Sequence, residues 1–511
     1  MDDPQRDVIA FLHDPASYPP DTGPIKIVET HISLVFMVGT SAYKLKRAVK
    51  YPYLDFSTLE QRLAGCTAEL KLNRRTAPQL YLEVRAISRR ADGSLAWGRQ
   101  GEVLDFVVVM RRFDDNALLE TVAASGGLSA PLMLALATHI AAFHDKAETS
   151  RERGGAAAMA DLVEANLARL RERADAGFPV PQIERIETGL RRELRRAGAM
   201  LDERREAGKV RRGHGDLHLR NICLLDGQPV LFDAIEFSED LGTIDVLYDL
   251  AFLLMDLNHR GHGDFANLVL NRYLDLTEED EGLAAMPLFM SLRAVIRAHV
   301  TATMAEHGWG TGDAETARAE ARRYLDDAEM LLCRAPARLL AVGGLSGAGK
   351  STLAVRLAPD LGVGCGARVL RSDVLRKLRF GTEPESPLPP EAYTEEVTAR
   401  VYADLCARAA MVLQAGSSAI IDAVALLPAE RRAFAAVAAD AGVPFTGLWL
   451  AAPEQTMRSR IAARRGDASD ASAEVLARQL DEDPGELDWL RLDAGGSQDA
   501  LLAAARRVLM H

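Results

Sequence analysis

Residues 339–358 read LLAVGGLSGAGKSTLAVRLA: an apolar run, a glycine-rich turn, then apolar residues at helical spacing. Within this stretch Gly344–Ser351 fits the pattern GxxxxGK[ST]. Glycines at these positions let backbone N–H groups turn inward around phosphate oxygens. The helix behind them presents the positive end of its dipole to the same place. The spacing puts Gly344, Ser346, Gly347, Ala348 and Gly349 in a phosphate cradle. Lys350 then reaches the β- and γ-phosphates, and Ser351, followed by Thr352, offers a hydroxyl to Mg2+. A strand before the loop and a helix after it are the context such a loop requires.

The surroundings extend this reading. Strand-like runs ARVLRSD (367–373), SSAIIDA (417–423) and PFTGLWLAAP (444–453) alternate with helical segments. Continuous apolar strands between helices indicate a parallel sheet covered on both faces. The Pro-rich segment TEPESPLPPEAY (382–393) reads as a mobile loop, and the change of character at RAPAR (334–338) sets a domain boundary near 335. Asp422 ends the strand AIID, where an acidic group suits Mg2+ or its bound water; the plainer alternative is an Asp opening a turn. Asp373 either caps the helix begun by SDVLRK or stands at the carboxyl end of the sheet, accepting a proton from a substrate hydroxyl.

In order, GLSGAGKST, RSDVLRK, IIDA and RSRIAARRGDASDAS resemble the small P-loop kinases that phosphorylate metabolites or polynucleotide ends, over about 337–500. The resemblance implies that Asp373 and Arg376 contact substrate, with Asp373 as the catalytic base. It also implies that Arg460 and Arg464 belong to a mobile lid over the phosphates. The planar guanidinium fork suits phosphate oxygens and does not lose its charge. A basic solvated helix is the plain reading of these arginines.

The N-terminal part carries a different cluster, GHGDLHLRN (213–221). His214, Asp216 and His218 are possible metal ligands, but no Cys or outlying His shows zinc spacing. A polar loop is a second reading. A third is a phosphotransfer loop, in which Asp216 orients and deprotonates an acceptor hydroxyl and Asn221 binds Mg2+. A further Mg2+ ligand, Asp233, follows on the strand-like run PVLFDAIEF (229–237), after a turn at Asp226-Gly227. This order resembles the protein-kinase-like fold, and most closely the aminoglycoside phosphotransferase family, over about 25–300.

That resemblance implies a strand lysine for the α/β-phosphates and a helix glutamate to hold it. AYKLKR (42–47) supplies Lys44, with Lys46 on the same strand face, and the helix 57–76 supplies Glu69. Backbone near Met110, Arg112 and Phe113, at the end of EVLDFVVVMRRF (102–113), would meet adenine. Two features depart from protein kinases. No GxGxxG precedes the lysine strand, and Asp233 is followed by Ala-Ile-Glu rather than Phe-Gly. Asp245 and Asp249 read as structural carboxylates.

Composition bounds the rest. The 511 residues exceed one core. A net charge of −12 argues against a general nucleic-acid surface, although Arg371, Arg376, Lys377 and Arg379 could line a local basic groove. The charged segment 181–207 interleaves Glu and Asp with its arginines and reads as a solvated helix face. Five scattered cysteines fit reduced thiols in a cytosol, and the acidic N-terminus carries no apolar signal segment. No membrane span is expected.

The expected architecture is therefore an α+β protein-kinase-like domain over 1–334 (N-lobe about 1–113, helical C-lobe about 114–334) and an α/β P-loop domain with a parallel sheet over 335–511. The expected function is a cytoplasmic bifunctional kinase using ATP and Mg2+ on hydroxyls of small molecules. The alternatives are an N-terminal binding or regulatory module beside one active P-loop kinase, and a kinase of nucleic-acid ends.

Overall fold

The computed structural model describes residues 4–20, 22–51, 54–173, 177–307, 313–464 and 468–509. They form two compact units: Met1–His259 with Leu288–Leu332, and Arg260–Pro287 with Cys333–His511.

The first unit begins with a six-stranded antiparallel sheet. Its order is Lys26–Glu29, Ser33–Val38, Ser41–Lys46, Glu102–Arg111, Tyr81–Arg89, Leu95–Trp97. Side chains alternate across it. Phe36, Leu45, Val107 and Val109 meet Val8 and Leu12 on one face. Phe106 and Val108 meet Cys66 and Leu70 of the helix Leu59–Asn73 on the other. Thr58 and Gln61 close a capping box at the start of that helix. The helical lobe follows, including Ala130–Lys146, Gly155–Glu172, Val180–Glu206, Val246–His259, Met286–His307 and Ala314–Leu331. Several arginines of Val180–Glu206 are paired with carboxylates, Arg191 with Glu164 at 2.7 Å on the surface and Arg204 with Asp245 at 2.7 Å in the interior.

One expectation is corrected here. The run 229–237 is strand only over Gln228–Leu231. Asp233 has φ 62°, and the next N–H groups are taken elsewhere: Ala234 donates to Asn73 Oδ1 (2.8 Å) and Ile235 to His214 O (2.9 Å). Strand pairing therefore stops before Asp233. The stretch Asp280–His307 is long and apolar enough, by length and composition, to cross a membrane, with mean hydropathy 1.3. However, 72% of that window is buried in the protein, and Ser291, Arg293 and His299 within it hydrogen-bond to protein groups.

In the second unit a five-stranded parallel sheet runs Arg368–Arg371, Ala419–Asp422, Leu339–Gly344, Phe445–Ala451, Leu490–Asp493. Leu340, Val342, Leu448 and Leu450 pack against Leu353 and Leu357 of the helix Lys350–Leu357 and Leu501 and Leu502 of Gln498–Leu509. The last strand, LRLD, escapes the sequence reading because most of it is exposed and it carries no apolar run.

The unit also contains residues 260–287, which the boundary near 335 had assigned to the N-terminal domain. The helix Gly263–Thr277 covers the edge strand Arg368–Arg371 with amide side chains. Asn271 Oδ1 accepts from Val369 N–H (2.7 Å), and Asn267 Nδ2 donates to Ala367 O (2.9 Å). Side chains here do the work of a neighbouring strand and satisfy an edge that would otherwise be open. Arg368, 1% exposed at its side chain, pairs with Asp275 (2.7 Å) and Asp280 (2.7 Å), and Asp280 also takes Arg408. Removing one partner of a buried pair leaves a desolvated charge. Arg368→Met is therefore expected to destabilise this unit by about 3 kcal/mol, measured on its urea unfolding transition.

Candidate functional sites

The first site is assembled on the N-terminal sheet. Lys44 and Lys46 alternate along Ser41–Lys46, so both ammonium groups fall on one face. Glu69, mid-helix and fully buried, receives both: Lys44 at 2.9 Å on Oε1 and Lys46 at 2.6 Å on Oε2. Lys44 also lies 2.6 Å from Asp233 Oδ1. Burial opposes the charge on Lys44, but Asp233 and Glu69 outweigh it and raise its pKa well above the ordinary value. Burial likewise opposes the Glu69 carboxylate, but the two lysines bring it down to about 2. Lys46 continues to Glu236, a buried carboxylate that sequence reasoning did not single out.

The loop 213–221 is held rigidly from beneath. Asp249 accepts the N–H groups of His214 (2.6 Å) and Gly215 (2.9 Å), and Asp256 accepts that of Leu219 (3.0 Å). Arg293 stacks on Tyr248, 3.8 Å from the ring centre, and donates to Gly215 O (3.1 Å). Asp245 and Asp249 are thus structural, consistent with the sequence reading. His214 is fully buried, and burial lowers its pKa. Its Nδ1 accepts from Asp216 N–H (3.3 Å), leaving Nε2–H to donate to Phe232 O (2.9 Å). By the same logic His218 Nδ1 accepts from Arg220 N–H (3.2 Å), so its Nε2–H faces Asp216 Oδ2 (3.4 Å). Both ring nitrogens of each histidine are engaged, which accounts for these residues without a metal. Among the described residues no group of three or more His, Cys, Asp or Glu is arranged to hold one.

Asp216 is half-exposed, with a second donor in Asn221 Nδ2 at 2.9 Å. Burial pushes its carboxyl up, but His218, Arg297 and His214 outweigh this and hold it well below the usual carboxylate range. Asn221 spends its amide nitrogen on Asp216 and keeps its oxygen as an acceptor. An amide oxygen and the Asp233 carboxylate are oxygen donors suited to Mg2+. The left-handed backbone at Asp233 is fixed by Tyr81, whose hydroxyl accepts Asp233 N–H (3.1 Å), and by Asn73. Neither had a sequence signal, because both act across more than 150 residues. Met110 and Arg112 lie at the end of Glu102–Arg111, where Arg112 N–H bonds Thr40 O (2.8 Å) and the chain passes towards the helical lobe. No glycine-rich turn precedes the lysine strand; the hairpin joining Lys26–Glu29 to Ser33–Val38 is closed by Thr30 and Ser33.

Glu69 makes the first unit sensitive to acid. A carboxyl ordinarily near 4.5 and held at about 2 contributes stability that is complete above 4.5 and lost as pH falls towards 2. The stability difference between wild type and Glu69→Gln is therefore expected to narrow from pH 5 to pH 3, measured by urea unfolding of this unit.

The second site lies at the carboxyl ends of the parallel strands, where open α/β sheets bind ligands. Gly344 and Gly347 have φ of 133° and 81°. A Cβ at Gly347 would lie 2.5 Å from Met457 O, and one at Gly344 would lie 2.6 Å from Leu450 O, so only glycine fits this cradle. A cleft of about 1270 Å³ opens over the loop, lined in part by Ser346–Thr352, Asp373, Asp422 and Arg464. Lys350 Nζ donates to Leu345 O (3.2 Å); burial lowers its pKa, with Arg464 and Arg371 adding to the effect against Asp422 and Asp373. Burial raises the Asp373 carboxyl, and Asp422 adds to that. Asp373 sits in the first turn of the helix Ser372–Arg379, and no side-chain cap bond begins that helix, which removes the simple capping alternative. Arg371 bridges Ser351 Oγ (3.3 Å) and Asp422 Oδ2 (3.4 Å), so hydroxyl and carboxylate lie within the span of one guanidinium. That oxygen pair fits a Mg2+ site.

The three arginines named by the resemblance, Arg376, Arg460 and Arg464, all border this cleft. Arg460 borders the cleft and donates to Ala348 O (3.2 Å) and Ala494 O (2.9 Å). Arg464 lines the cleft, while neighbouring residues 465–467 of the expected lid lie outside the described residues. Arg376 is buried and spends its donors on Ala392 O (2.6 Å) and Thr398 Oγ1 (3.3 Å), although it still borders the cleft. The segment 382–393 is fastened rather than loose: Leu388 N–H donates to Asp470 (3.1 Å), which also takes Tyr393 and the buried Lys377. With Arg379 paired to Asp404 and Arg371 to Asp422, the basic residues that would make a nucleic-acid groove are engaged within the unit.

Comparison with known proteins finds two matches along the chain, the first of which includes residues 260–287. Residues 35–288 match the model of the Phosphotransferase enzyme family, and residues 339–482 match an AAA domain. An uncharacterized protein of Mycobacterium tuberculosis (strain ATCC 25618 / H37Rv) is 32% identical over 99% of both chains, as is one of Mycobacterium bovis. Among solved structures, a gluconokinase from Sinorhizobium meliloti 1021 is 24% identical, covering 35% of this chain and 94% of that one, with a TM-score of 0.26. A choline/ethanolamine kinase family protein from Mesorhizobium loti is 13% identical, covering 64% and 99%, with a TM-score of 0.37. The chain belongs to one family with these mycobacterial proteins, and it carries a Phosphotransferase enzyme family match followed by an AAA domain match.

Proposed function

We propose that this chain is a cytoplasmic two-site kinase, each unit transferring the γ-phosphoryl group of ATP to a hydroxyl of a small molecule with Mg2+ as cofactor. The observation that carries the reading is the convergence of Lys44, Glu69, Asp216, Asn221 and Asp233 in one unit while the other presents a complete phosphate loop. A retired N-terminal site would not need all five, so the binding-module alternative gains nothing.

In the N-terminal site Glu69 fixes Lys44 for the nucleotide phosphates, and Asn221 and Asp233 supply oxygens for Mg2+. Asp216, steered by Asn221 and His218, orients the acceptor hydroxyl and takes its proton. In the C-terminal site the loop N–H groups and Lys350 hold the phosphates, Ser351 and Asp422 hold Mg2+, and Asp373 receives the acceptor. Its carboxyl, raised by burial and by Asp422, is a stronger base than an exposed aspartate. When bound, Mg2+ would neutralise charge on the phosphate oxygens. Catalysis at both sites is then positioning and electrostatic stabilisation.

The test is transfer from labelled ATP to a panel of sugars, sugar acids, amino alcohols and oligonucleotides. Wild type, Asp216→Asn and Lys350→Ala are compared. Two acceptors, each lost in a different variant, support the reading. If neither variant loses any transfer, it is refuted.

A further inference from the structure

We infer that Lys46 and Glu236 are positioning residues of the N-terminal site, holding Glu69 and the Asp233 segment so that Lys44 is correctly placed; this rests on the reading of that site given above. Both are shut away from solvent: side-chain exposure is 0% for Lys46 and 5% for Glu236. Their partners are nevertheless the site's own residues. Lys46 takes one oxygen of Glu69 at 2.6 Å while Lys44 takes the other at 2.9 Å, so one carboxylate is shared between two ammonium groups. Lys46 also contacts Glu236, three residues beyond Asp233.

Lys46 occupies a fitted slot. Its ammonium lies 4.9 Å from the centre of the Phe56 ring. A Cβ at Gly65 would fall 2.6 Å from Phe56 and 3.1 Å from Lys46 Cδ, so the helix surface is cut away to admit this side chain. Burying an ammonium is costly unless carboxylates compensate. Glu236 makes this arrangement possible. Without it, Lys46 would have only the Glu69 carboxylate that it shares with Lys44, whereas Lys44 also has Asp233.

Glu236 also anchors the Asp233 segment. Tyr81 fixes Asp233 N–H and Asn73 fixes Ala234 N–H. The Lys46–Glu236 pair is a further tie, and it joins this segment to the strand that carries Lys44. Losing it would shift Lys44 and Asp233 together. A displacement of about 1 Å in such a site can cost about 100-fold in rate.

The test uses the full chain with the C-terminal site silenced by Lys350→Ala. The variants are Glu236→Asp, Lys46→Met/Glu236→Leu and, as reference, Lys44→Ala. Readouts are the unfolding temperature, the Kd of a fluorescent non-hydrolysable ATP analogue with Mg2+, and kcat and KM for the acceptor. The apolar pair removes both charges, so it is expected to fold with wild-type stability. Even so, analogue binding should weaken about tenfold and kcat fall about 100-fold, with acceptor KM unchanged. Glu236→Asp keeps the charge but withdraws it by one methylene; it should stay folded and lose kcat in the same direction. The inference is overturned if both variants bind the analogue and turn over like wild type while Lys44→Ala does not. If Lys44→Ala binds the analogue as wild type does, the reading of the site fails and this inference falls with it.

Discussion

Asp216→Asn is expected to lower phosphoryl transfer by the N-terminal site by about 10²- to 10⁴-fold, the range attributed to a positioned general base. The fold should hold, because the loop is fastened by Asp249, Asp256 and Arg293 and not by the Asp216 carboxylate. An asparagine keeps an oxygen to accept from Asn221 and His218, so geometry survives and only the basic charge is lost. The pH profile separates this role from a generic one. His218, Arg297 and His214 hold the Asp216 carboxyl well below the usual range, so it stays ionised throughout mild acid. The kcat/KM of the wild-type N-terminal site should therefore be flat from pH 7 to pH 5. A drop over that interval would mean that another group is the base.

Lys350→Ala is expected to reduce transfer by the C-terminal site by about 10²- to 10³-fold, comparable to losing one preorganised donor at a developing charge. Transfer that depends on Asp216 should be unchanged. Stability should not fall. Burial disfavours the Lys350 charge, and Arg464 and Arg371 add to this, so its removal relieves a desolvation cost as well as removing attraction to Asp422 and Asp373. A Lys350→Ala protein with wild-type unfolding temperature and no C-terminal transfer would show that the ammonium acts on phosphate rather than on the fold. Retained C-terminal transfer would refute the assignment.

The sequence by itself determined the parts whose geometry is local. In GGLSGAGKST the glycines, the lysine and the helix start are contiguous, so backbone angles and N–H directions follow from residue type. The same holds for Asp216 and Asn221, five residues apart in one loop, and for the turn at Asp226-Gly227, where both φ angles are positive. Alternation along AYKLKR was enough to place Lys44 and Lys46 on one face. Only the tertiary structure decided which long-range partners those side chains meet. Glu236, Tyr81 and Asn73 become parts of the first site because the chain returns to them after more than 150 residues. Arg376 and Arg460 border the cleft, and the groups they donate to, Ala392 O and Thr398 Oγ1 for the first and Ala348 O and Ala494 O for the second, come from other segments of the chain. Residues 260–287 join the second unit because Asn267, Asn271 and Asp280 satisfy an open strand edge and a buried arginine there. Residue type and spacing write the chemistry of a contiguous loop. The pairing of distant polar groups depends on which of them are desolvated together, and that is settled only when the segments pack.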